Sequence, residues 1–63
     1  MNEKELKECA DEYYKLSREI EKLKELEFEA FIGGDTGKYL VLNGQKLQLI
    51  VKQMILKQKY NAG

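Results

Sequence analysis

Apolar residues in the N-terminal half of the chain recur at alternating spacings of three and four residues. The set comprises Leu6, Cys9, Tyr13, Leu16, Ile20 and Leu23. This heptad spacing places every member on one side of an α-helix, with lysines and glutamates around them. We therefore predict a helix over about residues 2–32, capped at its start by Asn2 and ended by Gly33 and Gly34.

The C-terminal half carries two apolar stripes on one predicted helix, which runs from about residue 36 to residue 60. One stripe consists of Leu42, Leu49, Leu56 and Tyr60, and the other of Leu40, Leu47, Ile50, Val51 and Met54. At about 100° per residue the two stripes lie on different sides of the helix. A helix with one neighbour needs one such stripe, so the second predicts contact with another chain.

Residues 26–42 are open to two interpretations, because the seam position after Leu23 is occupied by Glu27. In the first, the helix continues to about residue 32 with a drift in phase. In the second, residues 26–32 form a strand that pairs with residues 38–42 through a glycine-rich turn. We favour the helix, since an isolated two-stranded hairpin is marginal in water and Phe31 interrupts the alternation.

Asn43 and Gly44 are the weak point of the second predicted helix. Glycine costs about 1 kcal/mol relative to alanine in a helix interior, and Asn43 could instead cap a helix that begins at Gly44. We favour a continuous helix. In it Gly44 lies beside Leu47 and Val51 and allows close approach of the first helix.

Together these elements predict one all-α domain over residues 1–63, an antiparallel two-helix hairpin with its turn at residues 33–36. We assign the contact between copies of the chain to Leu42, Leu49, Leu56 and Tyr60. Two hairpins then associate into a four-helix bundle or a larger helical assembly. The core within each hairpin is assigned to Leu6, Cys9, Tyr13, Leu16, Ile20, Leu23, Phe31, Leu40, Leu47, Ile50, Val51 and Met54.

Size and composition make self-association the expected source of stability. A chain of 63 residues buries only about 60% of the surface that its unfolded form exposes, and scaffolds this short usually need disulfides, a metal or association. Cys9 is the only cysteine, which excludes a disulfide within the chain, and the absence of histidine removes the usual zinc ligand sets. We expect the chain to bind itself as a homodimer or a higher oligomer.

Charge divides the chain into two halves. Residues 1–32 carry ten acidic and six basic side chains, a net charge of −4, and residues 33–63 carry one acidic side chain and five lysines, a net charge of +4. We expect the halves to face each other and charge to set their orientation, because an exposed ion pair contributes only about 0–1 kcal/mol. The five lysines spread over two flanks of the predicted helix, which argues against a nucleic-acid partner.

No apolar run approaches the roughly 20 residues that span a bilayer. The first residues are too acidic and too polar for a secretory signal. A single free thiol is typical of a reducing compartment. We therefore expect a cytoplasmic protein with no membrane partner.

Two features invite a chemical interpretation. The segment Gly33–Lys38 shares glycines and a lysine with phosphate-binding loops, but Ile32 and Tyr39 stand where that motif needs Gly and Ser or Thr. Cys9 has no histidine to activate it and belongs to the apolar seam, which favours a small core residue. We predict no catalytic, cofactor-binding or metal-binding residues, no cofactor and no enzymatic activity.

The segment Gly44-Gln45-Lys46-Leu47-Gln48 resembles the Ser-Gln-Glu-Leu-Asp signature of small bacterial sporulation phosphatases of the aspartyl-phosphate type. Those proteins are also short antiparallel helix pairs, so the resemblance implies a hairpin. Gln45 and Leu47 match the signature, whereas Gln48 stands in place of the acidic residue that defines the activity. The resemblance covers this part of the second helix and does not extend to phosphatase chemistry.

The sequence therefore predicts a non-enzymatic protein–protein interaction module, a small self-associating helical adaptor or regulator that also binds another protein. The alternative is a small phage-type inhibitor or sequestering protein that occludes a host enzyme or a ligand. The two functions differ in target, so capture of a partner from a cell extract would separate them.

Overall fold

A computed structural model of the chain describes residues 2–62, which form two α-helices joined by a tight turn. Helix α1 spans Glu3–Ile32 and helix α2 spans Thr36–Ala62. No strand is present between residues 2 and 62, so the helical interpretation of residues 26–42 is confirmed. The helices pack antiparallel into a rod of 47 × 15 × 11 Å, close to the length of about 45 Å expected at about 1.5 Å per residue.

Helix α1 begins where the sequence predicts, because Asn2 caps it. The Asn2 side-chain oxygen accepts a hydrogen bond of 2.8 Å from the backbone N–H of Glu5. The Asn2 carbonyl accepts a second, of 3.0 Å, from the backbone N–H of Leu6. An N-cap side chain that satisfies one unpaired N–H of the first turn typically contributes about 1 kcal/mol.

The turn ends α1 and begins α2 within three residues. Gly34 has a φ of +75°, a left-handed conformation that glycine adopts without a steric penalty. The N–H of Asp35 then reaches back 2.9 Å to the carbonyl of Ala30, and that of Gly34 reaches 3.2 Å to the carbonyl of Phe31. These two bonds form a Schellman motif. The Asp35 carboxylate accepts a hydrogen bond of 3.1 Å from the N–H of Lys38 and so caps α2.

Helix α2 is continuous through Asn43 and Gly44, as predicted. The prediction that Gly44 allows close approach of α1 is wrong, however. A Cβ atom built on Gly44 would have no other atom within 4 Å, so the missing side chain does not accommodate α1. Gly44 lies instead on the solvent-facing side of α2.

The interior of the hairpin is small and lies along one seam between the helices. Within residues 2–62, four side chains are buried, namely Leu16, Ile20, Ala30 and Leu42, each 5–8% exposed. Leu6, Cys9, Leu23, Leu49, Ile50 and Leu56 are half-buried along the same seam. A rod one helix pair thick has no second layer to cover its outward faces, and this explains why so few side chains are enclosed.

The structure corrects the assignment of the two stripes on α2. Of the residues assigned to the core within the hairpin, Phe31, Leu40, Leu47, Val51 and Met54 are all more than half exposed. The leucines assigned to the contact between copies line the seam against α1 instead: Leu42 is 8% exposed, and Leu49 and Leu56 are half-buried. Tyr60, assigned with them, is 54% exposed, and Tyr13 is 38% exposed at the edge of the seam.

Candidate interaction surface

Polar contacts between the helices decide which side of α2 faces α1. The Lys46 ammonium lies 3.1 Å from the Glu27 carboxylate, with the two side chains 18% and 12% exposed. The Gln53 amide nitrogen donates to the Ser17 hydroxyl at 2.7 Å and to the backbone carbonyl of Tyr13 at 3.2 Å. Lys46 and Gln53 share the side of α2 that carries Leu42, so that side can satisfy the polar groups of α1 and the opposite side cannot.

Glu27 continues the seam of α1, although the apolar pattern of the sequence predicts a change of phase at this position. Its side chain is 12% exposed, and one carboxylate oxygen pairs with Lys46 while the other is buried with no hydrogen-bond partner. The apolar residues on either side, Leu26 and Phe28, are 41% and 64% exposed. A charged pair therefore replaces an apolar layer in the seam and leaves neighbouring apolar side chains in solvent.

We expect Lys46→Met alone to lower the free energy of unfolding by about 1–3 kcal/mol, because it leaves the largely buried Glu27 carboxylate without a cation. The double variant Glu27→Leu/Lys46→Met should be at least as stable as the parent, since an apolar pair avoids the cost of desolvating two charges. Urea unfolding followed by circular dichroism at one chain concentration measures both. If Lys46→Met proved neutral, the pair would have no part in holding the seam.

The side of α2 turned away from α1 carries a continuous row of exposed apolar residues, which we call the outer ridge. It is formed by Leu40, Leu47, Val51 and Met54, with Ile55 beside them, and these side chains are 50–61% exposed. Gly44 and Gln58 occupy the remaining positions of the row. No residue of the ridge is charged, although five lysines lie in this half of the chain.

The chain also exposes more surface than a compact protein of the same mass. Its total accessible surface is 5139 Å². A compact monomer of 7.4 kDa is expected to expose about 4,200 Å². The hairpin thus exposes about 900 Å² more, which is close to the roughly 800 Å² that each partner buries in a standard protein interface.

A second apolar cluster lies at the turn end of the rod. Phe28, Phe31 and Ile32 are 64–69% exposed on the last turn of α1. The Phe31 ring lies beside the first turn of α2, with its centroid 6.0 Å from that of the Tyr39 ring at a tilt of 54°. We refer to these three α1 residues as the turn-end cluster.

The opposite, open end of the rod holds a shallow apolar groove. It is lined by Cys9, Ala10, Tyr13, Tyr14, Leu56, Lys57 and Tyr60. The Cys9 thiol donates to the backbone carbonyl of Leu56 at 3.6 Å. This contact places Cys9 in the seam, as a small half-buried residue beside the groove.

Residues 2–62 contain no grouping of three or more cysteine and acidic side chains that could hold a metal ion. Neither described helix is long and apolar enough to cross a membrane. The segment Gly33–Lys38, which shares residues with phosphate-binding loops, forms the Schellman turn and the first turn of α2. The glycines Gly33 and Gly34 of this segment lie in the turn that reverses the direction of the chain.

Sequence reasoning found both stripes of α2 but missed the polar contacts that orient them. A signal was present, because Glu27 falls at a seam position of α1 and Lys46 falls beside Leu42 and Leu49 on α2. An acid and a base at matching heights of antiparallel helices are candidates for a pair across the seam.

No family model, curated protein or solved structure matches the chain significantly.

Proposed function

We propose that the protein is a non-enzymatic, self-associating interaction module. Two hairpins associate through their outer ridges and form a four-helix assembly. The observation that carries this proposal is the ridge itself, an uncharged apolar row along α2 on the side away from α1. Large contiguous apolar patches on the surface of small proteins usually mark interaction sites.

The small interior of the hairpin supports the same proposal. Only four side chains are buried among the described residues, and a chain this short without disulfides usually gains stability by association. If each of two copies buried its surplus of about 900 Å², the interface would reach the standard total of about 1,600 Å². Association would thus supply the burial that the hairpin lacks.

The turn-end cluster supports a second role, contact with a different protein. Phe28, Phe31 and Ile32 belong to α1 and lie outside the outer ridge, so a second copy on the ridge leaves them available. Exposed aromatic side chains give rigid contact area and are enriched where proteins bind each other. A two-chain assembly that presents this cluster twice would act as an adaptor or regulator, and we propose the cytoplasm as its location because a lone thiol is typical of a reducing compartment.

Sedimentation equilibrium over a dilution series tests self-association. We expect twice the chain mass of 7.4 kDa at high concentration, with dissociation to less stable single hairpins on dilution, because association adds to the stability of the folded chain. A helical monomer at every concentration would contradict the proposal. It would leave the ridge to a different protein, as in the alternative of a small inhibitor or sequestering protein.

A further inference from the structure

We infer that the partner on the outer ridge is the α2 helix of a second copy, antiparallel to the first, with the two-fold axis midway between Leu47 and Val51. This inference rests on the proposed function and specifies its geometry. The two α2 helices then form the centre of the assembly, and each α1 lies on the outside.

The outer ridge has the spacing of a coiled-coil seam. Leu40, Gly44, Leu47, Val51, Met54 and Gln58 follow one another at intervals of four, three, four, three and four. A heptad seam of this kind packs side chains of one helix into gaps between side chains of the facing helix. Helix α2 is therefore built to contact two helices, α1 on one side and a second helix on the other.

The antiparallel arrangement fills the one gap in this seam. A two-fold axis between Leu47 and Val51 places Leu47 opposite Val51 of the second copy and Gly44 opposite Met54 of the second copy. Gly44 offers open space, since no atom lies within 4 Å of the position its Cβ would occupy. Methionine is long and flexible and suits an irregular gap.

A parallel arrangement packs the same residues badly. Each residue of the ridge would face its own copy, so Gly44 would face Gly44 and leave a void, which costs about 1 kcal/mol or more. Met54 would face Met54 in another layer and crowd it. The parallel arrangement would also place the macrodipoles of the two helices side by side in the same direction, which is unfavourable. In the antiparallel arrangement the two macrodipoles point in opposite directions.

Charge permits two positively charged helices to meet along this face. Six positions flank the ridge, namely Val41, Asn43, Gln48, Ile50, Ile55 and Lys57. Lys57 is the only charged residue among these six. The other lysines of α2 point to the sides or toward α1. In the antiparallel arrangement the two Lys57 side chains lie near opposite ends of the contact, so they do not repel each other strongly.

Spin-label distances between copies test the arrangement. Lys52→Cys and Lys59→Cys are a matched pair, since both lysines are exposed and lie seven residues apart on the same side of α2. Each is made with Cys9→Ala, labelled, and measured by double electron–electron resonance in the full chain. At about 1.5 Å per residue, the antiparallel arrangement separates the two labels at position 59 by about 30 Å along the axis and those at position 52 by about 9 Å.

We expect the distance at position 59 to exceed that at position 52 by at least about 10 Å, which the helical rise requires of the antiparallel register. Equal distances at the two positions would overturn the inference in favour of a parallel pair and leave self-association intact. Long distances at both positions would place the contact away from the ridge and also overturn it. No dipolar coupling, in samples that sediment as monomers, would refute self-association itself.

Discussion

Replacing Leu47 with aspartate is expected to raise the dissociation constant of the two-chain assembly by about 1,000-fold. Leu47 is 51% exposed in the single hairpin and lies at the centre of the proposed contact. A two-fold assembly loses the leucine from both copies, and each loss costs about 2 kcal/mol. Since every 1.4 kcal/mol changes an equilibrium constant tenfold, the two losses together give about three orders of magnitude. Sedimentation velocity over a concentration series measures the change.

Gln45→Asp is the matched control for this variant. Gln45 is exposed on α2, two residues from Leu47, and lies off the outer ridge. It receives the same carboxylate in the same helix, so it reproduces the change in charge and in helix propensity without touching the contact. We expect it to leave the dissociation constant within about threefold of the parent, as surface substitutions usually change stability by less than 0.5 kcal/mol. If both variants dissociated alike, the ridge would not be the contact.

Leu42→Ala is expected to lower the free energy of unfolding of the hairpin by about 2–5 kcal/mol, the usual range for a buried leucine. Leu42 is 8% exposed and lies between the helices. With four buried side chains among residues 2–62, a loss of this size removes most of the helical signal. Far-ultraviolet circular dichroism during urea titration, at two chain concentrations, measures it.

Leu40→Ala makes the same chemical change two residues earlier, where the leucine is 61% exposed. We expect it to weaken association, so that its effect on unfolding is large in concentrated samples and under about 0.5 kcal/mol in samples diluted to monomers. Leu42→Ala should be destabilising at both concentrations. A larger loss from Leu40→Ala in dilute samples would show that the other stripe packs against α1.

These two pairs of variants distinguish effects on folding from effects on association. The distinction is needed because α2 is apolar on two sides and takes part in both processes. A helix that is apolar on two sides contributes one side to its own hairpin and offers the other to a partner. The side that joins the hairpin is the one with Lys46 and Gln53, because these residues meet Glu27 and Ser17 on α1. Buried polar groups without partners are costly, so these contacts favour one orientation over the other.

The sequence by itself determined the helices, their ends and the reversal between them, because these depend on neighbouring residues. Asn2 caps α1 by accepting a hydrogen bond from the N–H three residues later. Gly34 adopts the left-handed conformation that ends α1, and Asp35 caps α2. The heptad spacing likewise identified Leu16 and Ile20 as seam residues, and both are buried. Each of these features is set within a few residues along the chain.

Only the tertiary structure decided which stripe of α2 faces α1. Leu42 and Leu47 belong to stripes of similar length and hydrophobicity, so periodicity within one helix cannot rank them. The ranking comes from pairs that are distant in sequence, Glu27 with Lys46 and Ser17 with Gln53, whose polar groups must be satisfied when the helices close. Because that requirement couples two helices, it appears only when both are in place, and it leaves the uncharged stripe of Leu47 facing outward.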